Sequence, residues 1–223
     1  MISKTMGIVL NYIKYGDTSI ICKIYTEKYG LQSYIINGVR NSKSKNIGLF
    51  QPLNILDMVV YHKKNSGLQR IKESKLEYAY KSLHLDIRKI SICFFLSEFL
   101  SKISQNEDGQ KDKFNFIKDS LTIFDRIEEN YSNFHIQFLI KLSKLFGIDI
   151  GNSTNLNGKD GKDGKAEINL YIDECINNGY KVKIKSNNIL RNNVINLIIE
   201  HYSRNLDINI NLNSTNILKE IFN

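Results

Sequence analysis

The chain has 223 residues, 42 % of them hydrophobic, with a formal net charge of +8 and a pI near 9.2. That length holds two small domains or one large one, and the apolar share is enough for a packed core. Runs such as Ile92–Leu96 are far too short to span a bilayer, so a membrane-spanning helix is excluded, and the basic balance asks for an acidic partner. Most of the basic residues are lysines, and Lys, Asn and Ile share A/T-rich codons, which makes the total a weak signal. The distribution is a better one: residues 1–80 carry twelve cations against five acids, so nearly all the excess charge lies in the first third of the chain.

Thr5–Tyr15 reads as a first strand, ended by the turn pair Gly16-Asp17. Ser19–Thr26 is a second, with Ile20, Cys22 and Ile24 on one face. Leu31–Asn37 is a third, and Gly38-Val39-Arg40-Asn41-Ser42-Lys43-Ser44-Lys45 after it keeps donors and cations without a carboxylate, as a loop facing a polyanion should. A fourth strand runs from about Leu53 to Tyr61, after the only proline, Pro52; the polar turn from Lys63 to Gly67 leads into a fifth, Leu68–Tyr78. Five short strands joined by tight turns suggest a small closed barrel of the OB type, with an SH3-like barrel or an open meander as the alternatives.

The period then becomes helical. Leu83–Ile103 carries a broad apolar stripe through Ile92, Leu96, Phe99 and Ile103, and Phe114, Ile117, Leu121 and Phe124 define a second helix. Ser132 is the expected cap of a third, which ends before Gly147. Residues 151–165, with their Asp-Gly repeats and no apolar residue over 157–165, read as a mobile loop. Ile168–Ile172 and Tyr180–Ile184 are candidates to pair as a small hairpin over 167–185, across Asn177-Asn178-Gly179. Asn188–Arg204 is another helix, and Ser214 caps a last short one.

Catalysis finds no support. A phosphate-binding loop, a nucleophile elbow and a paired-histidine metal motif are all missing, and the basic third has few carboxylates to hold a metal ion for nuclease chemistry. Cys22, Cys93 and Cys175 are far apart in sequence, and with no signal peptide they read as reduced thiols in a cytoplasmic chain. The expectation is a protein that is not an enzyme and carries no cofactor and no metal. The cations Arg40, Lys43, Lys45, Lys63, Lys64, Arg70 and Lys72, interleaved with Tyr15, Tyr25, Tyr34 and Tyr61, instead suit a nucleic-acid surface that tracks phosphates and stacks bases. Of the tyrosines, Tyr25 and Tyr34 are the candidate stacking residues.

Asp17-Thr18-Ser19 entering a strand, Tyr25-Thr26-Glu27-Lys28-Tyr29-Gly30 at a turn, then Gly38-Val39-Arg40 and the Lys-Ser pairs give residues 1–80 a resemblance to the N-terminal domain of the RecO recombination mediator family. The resemblance implies an α+β protein: a five-stranded OB-type barrel over 1–80 that binds nucleic acid, followed by a mainly α-helical domain over 81–223. It implies a role in DNA repair and recombination near the nucleoid, with binding to single-stranded and double-stranded DNA. It further implies contact with the acidic C-terminal tail of the single-strand binding protein, strand annealing, and recombinase loading with a RecR-type partner. Many relatives carry a four-cysteine zinc module in the region matching Ile148–Ile184; this chain has only Cys175 there, so the zinc function does not carry over. A reading from another class is a non-catalytic protein–protein adaptor whose barrel is structural.

Overall fold

The computed structural model describes residues 1–41, 46–64, 66–105, 108–150 and 162–222. The chain divides into two compact units, one made of Met1–Tyr80 with Cys93–Lys118, the other of Lys81–Ile92 with Asp119–Asn223.

The first unit is built on five strands, β1 (Ile2–Tyr15), β2 (Ser19–Thr26), β3 (Gly30–Ile36), β4 (Ile55–Tyr61) and β5 (Gln69–Leu76). They close into a barrel in the order β1-β2-β3-β5-β4, the OB arrangement. β1 serves two neighbours. Its first half pairs with β4 from Ile2↔Tyr61 to Ile8↔Ile55, and its second half with β2 as far as Tyr15↔Ser19. The two ladders overlap at Gly7 and Ile8, and a bulge between Val9 and Asn11 interrupts the β2 ladder just beyond the overlap. Closure depends on β3 and β5, which run parallel and meet in two register pairs, Tyr34↔Gln69 and Ile35↔Arg70. Alternation fills the interior with Val9, Ile20, Cys22, Ile24, Tyr34, Leu56, Met58 and Val60. A 3-10 turn over Asn46–Phe50 adds Phe50 to that core.

The same unit includes the later part of α1 (Ile87–Ile103) and the first part of α2 (Lys111–Arg126). Phe114 stacks on Tyr25 of β2 with ring centroids 6.4 Å apart, which covers a tyrosine that alternation alone would leave facing water. Gly109 passes so close to the main chain at Lys28 and Tyr29 that any Cβ would run into it.

In the second unit α1 begins at Ile87 rather than at Leu83, because Asp86 caps it: its Oδ1 accepts from the amides of Arg88 (2.8 Å) and Lys89 (3.4 Å). The preceding segment is held by Asp125, whose Oδ1 accepts from the amides of Lys81, Ser82 and Leu83. Lys89 is 2 % exposed. Its ammonium donates to the carbonyls of Phe124 (3.1 Å), Asp125 (3.1 Å) and Ile127 (2.6 Å) and to the Ser82 hydroxyl (2.6 Å), so one buried cation satisfies two carbonyls in the last turn of α2 and one just past its end. The ammonium also lies over the rings of Phe124 and Tyr131, 5.4 and 5.2 Å from their centroids.

α3 (Phe134–Leu145) follows a 3-10 turn at Tyr131–Asn133; Ser132 lies inside that turn and is not the cap. Gly147 stands after the helix end with φ +68°, as expected. The remaining helices are α4 (Lys162–Asn177), α5 (Asn188–Leu206) and α6 (Ser214–Phe222). The hairpin expected over 167–185 does not form. Ile168, Tyr171, Ile172 and Cys175 are buried at helical spacing in α4, while Leu170, which a strand would need on the face of Ile168 and Ile172, is 64 % exposed. Tyr180–Ile184 is irregular chain, fastened by side chains: Asn133 donates to the Ile184 carbonyl (2.9 Å), Gln137 to those of Asn178 and Gly179, and Tyr180 packs 4.6 Å from the Phe134 ring. Of the loop expected over 151–165, residues 151–161 lie outside the described residues and 162–165 open α4.

Candidate nucleic-acid interface

Residues directly opposite one another in neighbouring strands point to the same side of a sheet. The register therefore lines up Ile13, Ile21, Ile35, Arg70 and Tyr61 across all five strands. This row is on the outer, solvent side of the barrel. Around it are two hollows that share Ile35 and Arg70, of about 790 Å³ and 480 Å³. The larger is walled by Tyr15, Tyr61 and Leu68, with Lys63 and Arg70 among its edges. The smaller continues along β5 past Lys72, Glu73 and Ser74.

Tyr15 is 51 % and Tyr61 42 % exposed, and both line the hollow that Lys63 and Arg70 also line. A base can stack on an exposed tyrosine face, and phosphates can be tracked by the neighbouring ammonium and guanidinium groups. Lys63, Lys64, Arg70 and Lys72 are all exposed. Lys72 is 3.4 Å from the Glu73 carboxylate, an exposed pair that contributes little and that a phosphate can displace.

The turn that carries Lys63 has a definite shape. Gln69, the first residue of β5, points its amide back into the turn: its Nε2 donates to the carbonyls of Lys63 (2.9 Å) and Ser66 (2.7 Å), and its Oε1 accepts from the Lys63 amide (2.9 Å).

Two of the tyrosines chosen from the sequence do not belong to this surface. Tyr25 is 2 % exposed beneath Phe114, and Tyr34 is fully buried in the barrel core, where burial pushes its phenol well above the usual value. Neither can stack on a base. The exposed pair, Tyr15 and Tyr61, are the last residues of β1 and β4. Arg40 is also placed differently from expectation. Its amide donates to the Thr18 carbonyl (2.9 Å) and its Nη1 to those of Gly16 (3.1 Å) and Ser19 (3.5 Å), so it pins the chain after β3 to the β1–β2 turn. Lys43 and Lys45 lie outside the described residues.

Among the described residues no group of three His, Cys, Asp or Glu side chains is placed to hold a metal ion, and no helix is long and apolar enough to cross a membrane. The three cysteines are buried, and burial pushes the Cys22 thiol far up and the Cys175 thiol to about 12, which leaves both poor nucleophiles.

Comparison with known proteins places residues 1–80 in the family described as "Recombination protein O N terminal". The chain is similar to the "DNA repair protein RecO" of Phocaeicola vulgatus, 37 % identical over 150 residues, which is 66 % of this chain and 62 % of that protein. It is similar to the protein of the same name from Bacteroides fragilis, 36 % identical over the same shares of the two chains. The match thus spans about three fifths of the length of these relatives. The likeness to the "DNA repair protein RecO" of Flavobacterium johnsoniae, 32 % identical, runs over 98 % of both chains.

Proposed function

Since the chain belongs to the RecO family of DNA repair proteins, we propose that it binds single-stranded DNA along the outer face of its barrel, over the hollows that meet at Ile35 and Arg70. The observation that carries this reading is the grouping of two exposed tyrosines, Tyr15 and Tyr61, with Lys63 and Arg70 around one depression on an OB barrel. Lys64 and Lys72 extend the positive surface to either side, and Lys43 and Lys45 are assigned to it from the sequence. Arg40 contributes by fixing the chain after β3 to the β1–β2 turn. The recognition is independent of sequence, because a lysine is a point charge and a tyrosine face accepts any base.

In this reading the protein is a non-catalytic recombination mediator without a cofactor. It anneals complementary strands, engages duplex DNA as well as single strands, contacts the acidic tail of the single-strand binding protein, and helps load the recombinase with a RecR-type partner. Its place is in the cytoplasm at the nucleoid.

The test is the affinity for fluorescently labelled oligothymidine and for a mixed sequence over a salt series. Lys63→Ala combined with Arg70→Ala weakens binding on both, and the slope of log affinity against log salt flattens by roughly 0.7 for each phosphate no longer neutralised. Thermal melts stay close to the wild type, because solvated surface charges contribute little to stability. A folded double variant with unchanged affinity and slope would remove this face as the DNA site and move the assignment to the adaptor.

A further inference from the structure

We infer that Gln69 is a positioning residue for DNA binding: it never touches the strand but sets the turn that presents Lys63 and Lys64. This deepens the DNA-binding reading above and rests on it. Gln69 is 2 % exposed, yet it is a polar residue at the start of a strand, a place where an apolar side chain would pack with less cost. Every polar atom of its amide is used, and all of it is used on one turn. Oε1 takes the Lys63 amide, and Nε2 bridges the carbonyls of Lys63 and Ser66. The amide of Ser66 also donates to the Lys63 carbonyl (3.2 Å), and the Ser66 hydroxyl to the Leu68 carbonyl (2.8 Å), so the turn is closed on itself around the Gln69 head group.

The geometry has a direct consequence for the surface. Tyr61 and Arg70 are register partners, and Gln69 precedes Arg70. The side chain that grips Lys63 is therefore fixed to the same strand as the Arg70 cation, one residue away. The β4–β5 register sets the spacing between Tyr61 and Arg70, and the buried Gln69 amide ties Lys63 to that pair. A charge held in place in advance loses less conformational freedom on binding than one that must be ordered by the ligand.

The test is a double-variant cycle on the full chain with labelled oligothymidine. Gln69→Met keeps the length and bulk of the side chain and removes its three hydrogen bonds to the turn. It is expected to weaken binding by up to the loss seen for Lys63→Ala with Lys64→Ala, roughly tenfold for two phosphates. In the background that already lacks Lys63 and Lys64, Gln69→Met has no further effect, which a general loss of barrel stability would not reproduce. Gln69→Asn, too short to span both carbonyls, is measured in parallel in case the Met variant melts early. Wild-type affinity in a folded Gln69 variant, or losses that simply add, would overturn the positioning role alone. No binding by the wild type, or no loss from Lys63→Ala with Lys64→Ala, would overturn the DNA surface and the positioning role together.

Discussion

Replacing Lys89 with alanine is expected to destabilise the protein by roughly 3–5 kcal/mol, because it strips three buried carbonyls of their shared charged donor. The carbonyls of Phe124, Asp125 and Ile127 are deprived of the ammonium that they share, and in a buried site no water replaces it at once. Unpaired buried acceptors are costly, at about 1–3 kcal/mol each before relaxation. The attraction of the ammonium to the Phe124 and Tyr131 rings goes with it. Lys89→Met separates the contributions: it keeps the apolar stem and removes the donors, so it should recover only a small part of the loss. Urea unfolding, followed by circular dichroism, reads both variants as a shift in midpoint. A loss below about 1 kcal/mol for Lys89→Ala, the worth of a single ordinary hydrogen bond, would mean that the end of α2 finds other donors.

The second large effect is on binding. Tyr15→Ala and Tyr61→Ala should each weaken single-strand affinity by about 1–3 kcal/mol, the value of one stacked base. Tyr15→Phe and Tyr61→Phe should bind as the wild type, because stacking needs the ring and not the hydroxyl. Tyr34→Phe should also leave affinity unchanged, since that side chain is closed inside the barrel. The salt slope should be the same in every tyrosine variant, as no cation is removed. Wild-type affinity in folded Tyr15→Ala and Tyr61→Ala proteins would show that strands bind by charge alone.

Much of the barrel was legible because period-two alternation and turn residues are local properties: the strand ends beside Gly16-Asp17 and beside the Lys63–Gly67 turn fall within a residue or two of expectation, while β1 begins three residues earlier, at Ile2. What was not legible depends on neighbours distant in sequence. Tyr25 and Tyr61 look alike in a strand pattern, and only the arrival of Phe114 buries the first. Ile168, Leu170 and Ile172 satisfy alternation as well as Ile168, Tyr171, Ile172 and Cys175 satisfy a helix, and the choice fell to packing. Lys89 and Gln69 read as ordinary polar residues because their partners are backbone carbonyls, which carry no sequence signature.

The division of β1 between two partners also sets an order of events. The half from Asn11 to Tyr15 meets β2 across a tight turn, and a hairpin of that kind forms in about 1–10 μs. The half from Ile2 to Met6 must wait for β4, which arrives only after the chain has come round through β2, β3 and the Asn46–Phe50 turn. One strand is thus both an early and a late participant in folding, with Gly7 and Ile8, which pair with both neighbours, as the overlap. In pulse-labelled hydrogen exchange during refolding, the amides of Asn11–Tyr15 that are bonded to β2 should gain protection before those of Ile2–Met6 bonded to β4.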